Sequence, residues 1–83
     1  MKLTILSPAQ SIETSVAWLE INTPTGNYVI QKGHAPMIAS LAPNKPFIYR
    51  MKSGKQETIH ARSGLIEIDR ESATIVFTES DTE

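Results

Sequence analysis

His34 and His60 are the side chains of this 83-residue chain whose ordinary titration falls near neutral pH. General acid–base catalysis would need one of them beside a group that orients it. His60 lies in a β-prone run with Thr58 and Arg62 on its own face, the setting of an ordinary strand residue. His34 lies in Lys32-Gly33-His34-Ala35-Pro36, where backbone hydrogen bonds in a tight turn account for it better than catalysis does. A zinc-type centre needs three or four N, S or O ligands, and two separated histidines with no cysteine do not supply them. Glu67 and Asp69 share one strand face and could hold a cation, but their alternation with Ile66 and Ile68 describes a solvated face better. Ser63-Gly64 lacks the G-x-S-x-G frame of a nucleophile elbow. The four glycines are scattered singly, so no phosphate-cradling loop forms. Trp18, beside Leu19 and Ile21, reads as core rather than as a stacking platform. No catalytic residue, cofactor or metal is expected.

Composition narrows the class further. At this length one domain with a thin core is expected, without disulfides to supplement it. The opening MKLTILSPAQ has a short apolar run and no small-residue cleavage signal, so no secretory leader is expected. No run of about 18 apolar residues is present. A cytosolic chain docked to something larger is the default. The formal net charge is −1, but the charges are segregated. Six basic residues lie between Lys32 and Arg62 against Glu57 alone, and six acids lie from Glu67 onward against Arg70 alone. A nucleic-acid footprint would make the whole domain basic, so no nucleic acid is expected. Opposite charges facing one another across adjacent strands are the plainer account.

The elements that must carry these residues read mostly as strands. Met1 to Leu6 is β-prone, with Leu3 and Ile5 on one face. Ala9 to Ile21 stays open between helix and strand. Ile12, Val16 and Leu19 fit helical spacing, while Ile12, Thr14, Val16 and Trp18 alternate at period two. As a strand it requires a phase slip before Leu19 and Ile21, a bulge or a passage between sheets. Phe47, Tyr49 and Met51 alternate up to a Ser53-Gly54 hairpin turn, and Lys55 to Arg62 returns. Ser63-Gly64 reads as another turn, before Leu65 to Asp69. Asp69 to Ser72 reverses the chain into Ala73 to Thr78. Turns every eight to twelve residues indicate an antiparallel sandwich or barrel.

Thr23 to Leu41, TPTGNYVIQKGHAPMIASL, stands apart as a stretch built around a local geometry. Pro24-Thr25-Gly26 and Lys32 to Pro36 bracket the short β-prone run Asn27 to Gln31. Gly33 supplies φ > 0, and Pro36 pushes Ala35 out of the α region, so His34 is held in a constrained loop.

Gly26 to Leu41 resembles the G-x-Φ-G-I-x-x-G-H-A-P-Φ-Φ-x-x-L signature (Φ apolar) of the epsilon subunit of F-type ATP synthases. KLTILSPAQSI looks like that family's first strand and turn, Leu41-Ala42-Pro43-Asn44 like its "L.PG" turn, and Ala61 to Thr78 like its closing hairpin. Val29 stands for a usual Gly, Lys32 for a usual Pro, and Asn44 for a common Gly. The resemblance implies an all-β fold, an antiparallel β-sandwich of about 8–10 short strands, as a single domain over residues 1–83 with 79–83 a frayed tail. It turns Ala9 to Ile21 towards strand. The family's C-terminal helical hairpin is absent, through natural brevity or truncation, and its inhibitory role is not carried over. A non-catalytic central-stalk subunit is implied, docked on the gamma subunit and the c ring, coupling ion-driven rotation to ATP synthesis. The positions matching the ring-facing region are Gly26, Asn27, Gln31, Lys32, Gly33 and His34, with Pro24, Ala35 and Pro36 shaping the loop. Peripheral association with the cytoplasmic face of a bacterial inner membrane follows from that role, without direct insertion. The alternative is a free-standing β-sandwich module that binds an anionic ligand or a protein through the Gly26–Pro36 loop.

Overall fold

Residues 1–80 are described by a computed structural model, with side chains described up to residue 76. They form strands and no helix: β1 (Lys2–Leu6), β2 (Ser11–Thr23), β3 (Gly26–Ile30), β4 (Met37–Ser40), β5 (Lys45–Met51), β6 (Gln56–Ile68) and β7 (Ser72–Ser80). The count among the described residues is seven rather than eight to ten, because β2 and β6 each run 13 residues without a break. No helix among these residues is long and apolar enough to cross a membrane.

Every pairing is antiparallel except β1 with β7. The order β1-β7-β6-β5-β2 closes through a further β1–β2 pairing, and β3 adds to β2 while β4 adds to β6. The two long strands make the corners of the sandwich. β2 pairs with β1 over Ser11–Ser15, then with β5 and β3 from Val16 onward. β6 pairs with β5 over Gln56–Ala61, then with β4 over Leu65–Ile68. Each corner carries a register shift, at Val16/Trp18 in β2 and across Ala61–Gly64 in β6. A bulge increases local twist and bends the strand, which lets one chain segment serve two sheets.

The open question over Ala9 to Ile21 resolves as strand with the required slip. Val16 pairs with Met51 and Trp18 with Arg50, leaving Ala17 as the extra residue. That insertion restores the inward phase, so Val16, Leu19 and Ile21 are all fully buried while Trp18 is half-buried. Ser63-Gly64, by contrast, is not a turn. It lies inside β6, where the signal marks a bulge. Glycine in a strand indicates such an irregularity as readily as a reversal.

The core fills the space between the two layers with Leu3, Ile5, Val16, Leu19, Ile21, Ile30, Phe47, Ile66, Ile68 and Ile75 among others. Burying one such side chain contributes about 1.5–3 kcal/mol. The Ser53-Gly54 hairpin forms as expected, with Gly54 N–H donating to Met51 C=O at 2.9 Å. Asn44 has φ +62°. Asparagine tolerates that left-handed region better than other non-glycine residues. β7 continues through Glu79 and Ser80, whose backbones pair with β6. The rest of the acidic tail, and the side chain of Phe77, lie outside what is described.

Candidate functional site

β3 organises the surface that the sequence singles out, and it splits that surface in two. Gly26 and Asn27 are at the β2–β3 hairpin tip, and Gln31 to His34 follow the opposite end of the strand. At roughly 3.3 Å per residue, the four steps from Gly26 to Ile30 span about 13 Å. The six residues therefore form two patches.

The tip is a two-residue loop, Pro24-Thr25, closed by the Thr23–Gly26 pair. Thr23 is a buried polar residue, and its hydroxyl is fully used. It accepts from Thr25 N–H at 3.2 Å and donates to Gly26 C=O at 3.0 Å. Thr25 Oγ1 lies 3.3 Å from the Tyr28 hydroxyl. On the outer face Asn27 Nδ2 donates to Glu20 Oε2 and to Asn22 Oδ1, both at 3.0 Å. Asn22 Nδ2 in turn donates to Pro46 C=O at 3.1 Å. The tip is polar and held rigid by its own side chains.

At the other end, Gly33 has φ +90° with open space where a Cβ would stand. Glycine is required there by backbone conformation, not by crowding. Its N–H donates to Arg70 C=O, which fastens the loop to the β6–β7 turn. His34 N–H donates to Gln31 C=O at 3.0 Å. His34 Nδ1 lies 2.8 Å from Ala35 C=O. A carbonyl can only accept, so Nδ1–H is the donor of this bond. The half-buried His34 is thus a turn residue bonded to backbone, far from His60, which sits exposed on β6 opposite Pro46. Lys32, Ala35 and Pro36 are exposed.

One surface escaped the sequence reading. The outer face of the β1–β7–β6–β4 layer carries Leu6, Val76 and Leu65 as direct cross-strand neighbours. Ile38 lies beside them on β4, 75% exposed, and Leu65 is 51% exposed. Ile38, Leu65, Val76, Glu67 and Thr74 line an open depression of about 210 Å³. Each strand supplies only one of these aliphatics, so no single segment announces the patch. The signal was an apolar residue at an outward position in four separate strands.

Among the described residues Lys2 pairs with Glu13 at 3.2 Å and Lys55 with Glu57 at 3.1 Å. Neither pair joins the basic middle to the acidic end.

The model of the β-sandwich domain of the ATP synthase delta/epsilon chain matches residues 1–80. The fold is similar to that of a chain in a cryo-EM structure of the Euglena gracilis mitochondrial ATP synthase, containing OSCP, F1 and c-ring in rotational state 1. The TM-score is 0.85 at 22% identity, over 94% of this chain and 50% of that one. It is also similar to a chain in the central stalk and c-ring structure of the Tetrahymena thermophila mitochondrial ATP synthase. There the TM-score is 0.80 at 16% identity, over 95% of this chain and 63% of that one. The chain thus spans between half and two thirds of these relatives, and at such identities the likeness is one of fold. The match over nearly every residue is what places the sequence: the chain belongs to the ATP synthase delta/epsilon family, of which it carries the β-sandwich domain.

Proposed function

We propose that the chain is a non-catalytic central-stalk subunit of an F-type ATP synthase. It docks on the gamma subunit and on the c ring, and turns with them as ion flow drives rotation and ATP synthesis. Family membership over residues 1–80 is the observation that carries this reading. Its place is peripheral, at the membrane face where the ring's polar loops project, the cytoplasmic face of the bacterial inner membrane in our reading.

The separation of the β3 ends favours a division of labour. Gly26 and Asn27, at a polar tip, suit the polar loops of the ring. Gln31, Lys32, Gly33 and His34 adjoin β4 and its aliphatic neighbours Ile38 and Leu65. An apolar centre with a polar rim is the anatomy of a stable protein–protein interface, which suits gamma. Pro24 shapes the first patch, and Ala35 and Pro36 the second.

Binding of the purified chain to gamma and to isolated c rings, measured separately, tests both levels. Asn27→Lys keeps attraction to Glu20 and should weaken ring binding roughly tenfold while sparing gamma. Lys32→Glu with His34→Glu should do the reverse. Loss of both partners from one end would overturn the division, and an unaltered chain that ignores gamma would overturn the stalk role.

A further inference from the structure

The Gly33–Arg70 hydrogen bond joins two turns that lie 37 positions apart in sequence. The β6–β7 turn is fixed from three directions. Asp69 N–H closes it on Ser72 C=O at 2.8 Å, and Lys2 N–H ties it to β1 through Glu71 C=O at 3.3 Å. The Gly33 N–H holds it to the β3–β4 loop. The loop itself is closed by the two His34 bonds. Both turns therefore meet a partner already ordered, which spares the entropy cost of arranging them on binding.

Each turn presents an exposed cation, Lys32 on one and Arg70 on the other. Among the described residues neither has a carboxylate within ion-pair distance, although Asp69 and Glu71 flank Arg70 in sequence. The turns border Met37 and Ile68, the first register pair of β4 with β6, and the exposed Ile38 follows directly. We propose that the β6–β7 turn is the second half of the docking surface begun by the β3–β4 loop, with Arg70 its second cationic contact. The partner it fits is a protein face with an apolar centre and carboxylates at its edge. Exposed acids beside Arg70 argue against an anionic lipid surface or nucleic acid, which reward a field of one sign. Arginine adds bidentate geometry that Lys32 lacks, so Arg70 contributes register as well as charge. This rests on the stalk reading, in which gamma is that partner.

The test compares Arg70→Glu, Arg70→Ala, Lys32→Glu and a control, Lys45→Glu, for gamma affinity across a salt series. Ring binding and thermal unfolding are followed in parallel. Arg70→Glu should weaken gamma binding roughly three- to tenfold and flatten its salt dependence. Arg70→Ala should lose less, and Lys45→Glu nothing. Ring binding and the unfolding midpoint should stay unchanged. Wild-type gamma affinity in Arg70→Glu and Arg70→Ala, with Lys32→Glu weakened, would overturn this inference and leave the stalk reading standing. No gamma binding by the unaltered chain would overturn both.

Discussion

Asn44 shows how one residue can meet a geometric demand without the usual side chain. The family's turn commonly has glycine at this position, and here the backbone adopts φ +62° with asparagine. A Cβ in that region costs roughly 1–2 kcal/mol for most residues, while asparagine recovers part of it by local hydrogen bonding. Asn44→Ala should therefore destabilise the fold by about 1 kcal/mol, and Asn44→Gly should stay within about 0.5 kcal/mol of the parent. Urea unfolding of the two variants separates them, and equal losses would sink the argument. Tyr49 makes a second demand, electrostatic rather than steric. Burial raises its phenol above the ordinary value of 10.0, Glu57 raises it further, and Lys55 acts in the opposite sense. Below that ordinary value both folded and unfolded states keep the proton, so the contribution to stability is intact. Above it the unfolded chain ionises first, and stability falls as pH rises through the folded value. Tyr49→Phe removes the titrating group, so its stability should decline less than the parent's above about pH 10. Identical alkaline profiles would show that Tyr49 is not responsible.

At the scale of elements, β2 decides the architecture. Its helical reading placed Ile12, Val16 and Leu19 on one stripe, and its strand reading required a slip. The bulge at Ala17 puts Val16 and Leu19 in the core but leaves Ile12 36% exposed on the part of the strand that pairs with β1. Leu19→Ala should cost about 2–5 kcal/mol, as for a fully buried leucine, whereas Ile12→Ala should cost under about 1 kcal/mol. Comparable losses would mean that the corner is misplaced. The same strand shows what was legible in the sequence. Alternation located the inward faces of β1, β5 and β7, because one side of each meets the core and the other meets water. Paired turn residues located the reversals at Pro24-Thr25, Ser53-Gly54 and Asp69 to Ser72. Ser63-Gly64 defeated the same rule, since glycine serves a bulge as well as a turn and only the partner strands distinguish them. The division of the β3 residues into two patches was equally hidden. A motif read along the chain has no ends, but a strand does.

Across the whole molecule, buried and exposed aliphatics fall on opposite faces of the same strands. Inward residues such as Ile66 and Ile75 are almost fully buried, and their neighbours Leu65 and Val76 stand outside. Exposed aliphatic patches of this kind on a small protein mark a surface that another molecule covers. Ile38, the most exposed of the large aliphatics, contributes little to the folded state because it leaves little water behind. Ile38→Asp should therefore change unfolding stability by less than about 0.5 kcal/mol. The same change should weaken gamma binding by about 1–2 kcal/mol if Ile38 is an anchor of that interface. Binding linkage supplies an independent measure. Free gamma at a hundred times its Kd should raise the parent's stability by about 2.7 kcal/mol, and the variant at that concentration should gain visibly less. The isolated variant should also self-associate less than the parent, since a carboxylate now interrupts the patch. A variant that unfolds more readily, or that gains as much from gamma as the parent does, would place Ile38 in the fold's own packing and leave the docking face elsewhere.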